Sequence, residues 1–125
     1  MRIAALVGTA SAFLFHMREA NWKDRILFLI GRRPAFRVEG DSMLPTLKGG
    51  DTVMVDPKAT VAVGDIVLAK HPYKTNVKML KRVSAIDEGG RYELAGDNPD
   101  ESTDSRTFGS ISIEYIHGKA VCRLK

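Results

Sequence analysis

The apolar positions of this chain change their rhythm once, near residue 35. Before that point Trp22, Ile26, Leu29 and Ile30 recur at the three- and four-residue spacing of a helix, with Lys23 and Arg25 set off the stripe. Gly31 ends this segment and Pro34 prevents its resumption. From Phe36 onward the apolar residues come in short runs or alternate with polar ones, as strands require. Phe36 to Glu39 is the first such run. Thr52 to Val55 lies between a Gly49-Gly50 turn and Asp56-Pro57, and Ile66 to Ala69 follows Gly64-Asp65. A long strand pattern runs from Asn76 to Asp87, turns at Glu88-Gly89-Gly90 and returns over Arg91 to Ala95. Gly96 to Gly109 reads as a polar loop, and Lys119 to Leu124 as a last strand. The pattern predicts a compact, mainly β domain over residues 36–125, preceded by an apolar and basic helical segment over residues 1–35.

Composition narrows the class. With 44% hydrophobic and 27% charged residues the chain is globular and not disordered. Cys122 is the single cysteine, so no intrachain disulfide forms. Residues 1–39 carry seven basic side chains against three acidic ones, whereas the remainder balances twelve against twelve. The basic character therefore belongs to the N-terminal segment. This argues against a nucleic-acid-binding face on the body and for an anionic membrane surface near the N-terminus, with a solvated helix face as the alternative. Ile3 to Phe15 is apolar but shorter than the ~20 residues a spanning helix needs. It fits a membrane anchor, the apolar centre of a signal peptide or a helix lying in the interface, and a cytoplasmic location is the alternative.

Candidate chemistry begins at Ser42, held in the Gly- and Pro-bounded turn Gly40-Asp41-Ser42-Met43-Leu44-Pro45. A serine hydroxyl is a weak nucleophile until a base takes its proton. In the strand pattern Val77 to Ala85, alternate residues place Lys81 in a row with Val77, Met79, Val83 and Ala85. A lysine among apolar neighbours loses hydration and is driven toward its neutral form, which can act as a general base. The plainer reading is a lysine that snorkels to the sheet edge and stays charged. The histidines, His16, His71 and His117, are scattered without ligand spacing or a Gly-x-Ser-x-Gly elbow, which disfavours a Ser-His-Asp hydrolase and a metal site. Cys122 alternates within an apolar strand and reads as core.

Three ordered blocks carry a resemblance. They are Gly-Asp-Ser-Met-Leu-Pro-Thr-Leu at 40–47, Lys81-Arg82-Val83, and Gly-Asp-Asn-x-Asp-x-Ser-x-Asp-Ser-Arg-x-x-Gly at 96–109, with Gly64-Asp65-Ile66-Val67 as a fourth. Over residues 36 to 123 the chain resembles the type I signal peptidase family of serine proteases, and within it the small nickel-type superoxide dismutase maturation proteases. The resemblance implies a signal-peptidase or LexA-like β core and a Ser/Lys dyad, Ser42 as nucleophile and Lys81 as general base. It implies that Ser102 orients the lysine amine, that Asp104 and Arg106 brace the active-site loop, and that Asp97 and Asn98 shape it. Met43 and Pro45 match residues that fix the turn. Gly40 stands where many bacterial members have a serine that helps hold the oxyanion, so the backbone N–H of Ser42 is the implied donor. No metal or cofactor is implied. The partner is a precursor with a cleavable leader, bound as an extended strand; a nickel superoxide dismutase precursor, a general exported precursor and a mitochondrial-inner-membrane-type substrate are the alternatives. A LexA-like self-cleaving regulatory domain and a catalytically dead binding module are the rival readings. The first needs a DNA-binding module, for which residues 1–35 are too short and too apolar.

Overall fold

The computed structural model describes residues 17–101 and 103–124. Helix α1 (Trp22–Leu29) is followed by β1 (Ala35–Arg37), β2 (Thr52–Asp56), β3 (Ile66–Lys70), β4 (Lys78–Ile86) and β5 (Tyr92–Ala95), a one-turn helix α2 (Ser105–Phe108) and β6 (Ile116–Leu124). The strands form one antiparallel sheet in the order β1-β2-β6-β3-β4-β5. The mainly β architecture expected from the apolar rhythm is what the chain adopts, and Gly31, in left-handed conformation (φ 78°), follows α1 as expected.

Both faces of the sheet are covered, which explains why β2 and β3 read as near-continuous apolar runs. One face packs Val38, Met43, Leu47, Val53, Val55, Ile66, Leu68 and Leu80; the other packs Val67, Ala69, Val83, Tyr92, Leu94, Phe108 and Ile111. Cys122 is fully buried, as its alternation predicts. In β4 the alternation is interrupted by a bulge between Val83 and Ala85, so the single apolar row expected from Val77 to Ala85 does not run through: Ser84 is exposed and bonds the Glu93 carbonyl. On the opposite face of β4 Leu80 joins the core.

Two further differences matter for the site. The stretch Gly96 to Gly109, expected as a plain loop, contains a 3-10 turn (Pro99–Glu101) and α2. Asp104 starts α2 by accepting a hydrogen bond from the Arg106 N–H (3.0 Å), a capping pattern that shares its composition with turns. The last strand begins at Ile116, and Gly118 within it passes so close to the exit of β2 that an added Cβ would stand 2.7 Å from the Asp56 carbonyl oxygen.

The N-terminal part is stitched to the body. The Ala20 N–H donates to the Arg123 carbonyl (2.8 Å) and the Arg123 N–H to that of Arg18 (2.9 Å). Asp24 is 4% exposed and closes a capping box with Asn21 at the start of α1. Its carboxylate pairs with Arg18 (2.6 Å) and Arg33 (3.4 Å), and the Arg18 hydrogen bonds, against the pull of burial, lower its pKa to about 2. Residues 3–15, expected to be an apolar membrane segment, lie outside the described residues. Among the described residues no helix is long and apolar enough to cross a membrane.

Candidate active site

Ser42 and Lys81 reach the site from different layers. The turn that carries Ser42 follows β1 and is fixed by burial of Met43 and Leu47 in the first core. It opens with Gly40 at φ 74°, a left-handed backbone that an L side chain adopts only with strain. A serine there would carry that cost, which is a physical reason for glycine at this position. Lys81 stands opposite Val67 in the β3–β4 register and so shares the second face with Met79 and Val83. It is 4% exposed.

Burial pushes the Lys81 amine below the ordinary lysine pKa; the nearby Asp104 carboxylate holds it up and Arg106 pushes it down. Asp104 is itself buried at the N-terminus of α2. Desolvation alone would raise its pKa, but the Arg106 hydrogen bonds (3.0 and 3.2 Å) and those from the Arg106 and Gly96 N–H groups keep it below the usual carboxylate value. Arg106 also donates to the Pro99 carbonyl (3.0 Å), so the pair closes the stretch 99–106 on itself.

The segment Asp97-Asn98 joins the two halves. The Asn98 N–H donates to the Ser42 carbonyl (2.9 Å) and its side-chain amide to the Asp41 carbonyl (3.0 Å). Asp97 accepts a bond from the Thr46 hydroxyl and holds Arg82, the neighbour of Lys81, through two bonds of 2.8 and 2.7 Å. Arg82 in turn donates to the Gly64 carbonyl (2.6 Å). One two-residue segment therefore ties the Ser42 turn to the strand position beside Lys81. The Arg82–Asp97 pair is forked, with its side chains only 14% and 5% exposed, the geometry in which an arginine cannot be exchanged for lysine without loss.

Ser42 also lines a cleft of about 120 Å³ with Phe36, Val38, Met43, Met79 and Leu80, flanked by Glu39 and Lys78. This cleft lies along an open strand edge. β4 pairs with β3 over Lys78 to Arg82, but with β5 only from Arg82 onward. Residues 78–80 thus have no strand partner among the described residues on the side away from β3. A larger hollow of about 550 Å³, lined by Lys48, Asp51 and Arg123, is lined by none of these residues.

Of the residues singled out from sequence, Asn98 is bonded to Asp41 and Ser42 and Arg106 to Asp104, Asp97 holds the neighbour of Lys81, and the charges of Asp104 and Arg106 act on the Lys81 amine. Pro45 lies in the same turn. Ser102 lies outside the described residues. Arg82 and Thr46 were missed as site-building residues, although both stand inside the quoted blocks; a charged residue next to a buried lysine was the available signal. His71 is buried between Tyr73 and Phe108, and its Nδ1 accepts from the Tyr73 and Lys74 N–H groups (both 3.1 Å). Burial and the Lys74 charge lower its pKa, so it shapes the β3–β4 connection as a neutral ring. Among the described residues no cluster of histidine, cysteine and acidic side chains is arranged to hold a metal ion.

The sequence pattern of the Peptidase S24-like family matches residues 18–121. The chain belongs to this family. Its relatives among characterised proteins include mitochondrial inner membrane protease subunit 1 of Xenopus tropicalis, 31% identical over 68% of this chain and 65% of that protein. The mitochondrial ATP-independent inner membrane protease subunit 1a of Arabidopsis thaliana is 31% identical over 70% of this chain and 67% of its own length. Subunit 2 of the inner membrane protease of Danio rerio is 30% identical over 67% and 60%. The chain thus spans about two thirds of the length of these relatives. The family is described as peptidase-like, and these relatives are named as proteases.

Proposed function

We propose that this S24-like peptidase is a serine endopeptidase that removes an N-terminal leader from a precursor, with Ser42 as nucleophile and Lys81 as general base. The observation that carries the reading is a buried lysine, driven toward its neutral form, on a strand clamped to the segment that holds the Ser42 turn. Neutral Lys81 takes the Ser42 proton as the hydroxyl attacks the scissile carbonyl. The oxyanion is met by the Ser42 backbone N–H. The lysine then gives its proton to the leaving amine, and water releases the acyl-enzyme. Ser102 orients the amine, by resemblance; Asp104 and Arg106 set the local charge. The substrate lies extended against the edge of β4 at residues 78–80 and presents a small side chain to the adjoining cleft.

The names of the relatives favour a precursor that is inserted into or exported across a membrane, and the motif subgroup favours a superoxide dismutase precursor carrying an N-terminal nickel-binding segment. Both substrate classes, and a control of the protease alone, are to be incubated with wild-type protein and the cut sites read by mass spectrometry. One cut at the leader junction of the dismutase precursor supports the narrow substrate. Cleavage of general leader peptides alone retains the dyad and discards that substrate. Fragments of the protease itself as the sole product would favour the self-cleaving reading.

The charges around Lys81 predict the pH profile. Cleavage rises with pH as the lysine loses its proton, with a midpoint below the ordinary lysine value because burial favours the neutral form. Asp104→Asn, which retains the helix cap, removes the charge that holds the proton on and shifts the midpoint to lower pH. Arg106→Gln removes the opposing charge; if the loop holds, the midpoint moves up. Initial rates across neutral and alkaline pH check both signs, and a flat profile would exclude a titrating lysine.

A further inference from the structure

Helix α1 is built inside out. An ordinary surface helix turns its apolar stripe to the core and its charges to water. Here the residue turned inward is Asp24, 4% exposed and paired with Arg18 and Arg33, while Trp22, Ile26, Leu29 and Ile30 are 67%, 48%, 78% and 61% exposed. The last four recur at i, i+4, i+7 and i+8, so they form one outward stripe. Lys23 flanks it on one side and Arg25 on the other, both exposed, with the Lys23 ammonium 5.6 Å from the Trp22 ring centre. Beside the helix a groove of about 460 Å³ is lined by Leu27, Arg32, Arg33, Asp56 and Lys58. Arg33 is paired with Asp24 and Asp56, so both acids near this face are neutralised from within. What faces outward is an apolar ridge with Lys23, Arg25, Arg32 and Lys58 around it.

We infer that α1 is an interfacial helix that seats the protein on an anionic phospholipid bilayer, with the stripe in the acyl boundary and the basic rim on headgroup phosphates. The chemistry fits one occupant. An apolar ridge alone suits any apolar partner, but a ridge bordered on both sides by cations, with Asp24 buried and both Asp24 and Asp56 paired to Arg33, matches a negatively charged surface with an apolar interior. The helix is also mounted to bear load. Its capping box, the Arg18–Asp24–Arg33 pairs and the bonds of residues 18–20 to Arg123 hold it to the body without using the stripe. The inference deepens the membrane placement suggested by the relatives and is independent of the Ser42–Lys81 chemistry.

Trp22 is the single tryptophan and lies in the stripe, so its emission reports seating directly. The full chain is to be titrated with phosphatidylcholine vesicles and with mixed phosphatidylcholine–phosphatidylglycerol vesicles. Mixed vesicles are expected to move Trp22 emission to shorter wavelength, with an affinity that falls as salt is raised. Arg25→Gln and Arg32→Gln are each expected to weaken this binding about fivefold, and Ile26→Ser with Leu29→Ser to abolish the shift while cleavage of a soluble peptide is unchanged. Sedimentation of the protein with vesicles without a change in Trp22 emission would overturn the inference and leave the membrane placement to residues 3–15. Equal shifts on neutral and anionic vesicles would overturn the charge argument. Short-wavelength emission already present without vesicles would assign the stripe to a protein partner, either a second copy or the upstream apolar run.

Discussion

Replacing Ser42 with alanine is expected to lower kcat/KM for leader cleavage by at least about 10⁴-fold, and Lys81→Met by a similar factor, because nucleophile and base act as one unit. Neither variant should be destabilised. Ser42 is only partly buried, so its alanine variant should melt close to wild type. Lys81→Met replaces a buried amine with an apolar side chain of similar length, which is neutral or stabilising. The pH dependence separates this from a generic effect. The folded protein holds the Lys81 proton less tightly than the unfolded chain, so wild type gains stability as pH rises from the folded pKa toward the unfolded value of about 10.5. Lys81→Met should lack that gain. Leader-peptide cleavage rates and thermal melts across neutral to alkaline pH measure both effects; activity within tenfold of wild type in either variant would remove the dyad.

The clamp carries the second large effect. Arg82→Ala leaves the Asp97 carboxylate, 5% exposed, without its forked partner, and breaking such a pair costs about 3–5 kcal/mol. Against a total stability of about 5–15 kcal/mol, that lowers the melting temperature by roughly 10–20 °C. The damage extends to the site. Asp97 also holds Thr46, and Asn98 holds Asp41 and Ser42, so a loosened segment displaces the nucleophile turn. A shift of about 1 Å there is worth around 10²-fold in rate. Arg82→Lys keeps the charge but loses the fork and the Gly64 contact, so at a temperature where it is fully folded it should recover part of the stability and little of the activity. Activity that tracks folded fraction alone in both variants would show that the clamp serves stability and not geometry.

The elements were legible where local chemistry decides them. Short apolar runs between turn residues located β2 and β3, and the hairpin pattern β4 and β5, to within a residue or two, and Gly31 with Pro34 bounded α1. The apolar neighbours of Lys81, Met79 and Val83, were readable too, but that row left a buried and a snorkelling lysine both open until the register with Val67 decided it. What escaped was non-local. Nothing in Lys119 to Leu124 announces that this strand enters between β2 and β3. The bulge at Ser84 breaks a pattern that reads as unbroken, and α2 hides in a polar string because an N-capping aspartate and a turn aspartate look alike in sequence. The stripe on α1 illustrates a further limit: its spacing predicts an amphipathic helix, but a helical period does not say which face meets the core.

The strand order has a consequence for how the protein is made. Before β6 exists, the strand ladder can form only as a β1–β2 pair and a separate β3–β4–β5 unit, because β6 lies between them. Ser42 belongs to the first piece and Lys81 to the second. Domains emerge from the ribosome N-terminal end first, and contacts between distant segments form last. Until residues 116–124 have been synthesised and inserted, the sheet that carries the two halves of the proposed dyad lacks its joining strand, and only the Asp97–Asn98 segment and side-chain packing link them.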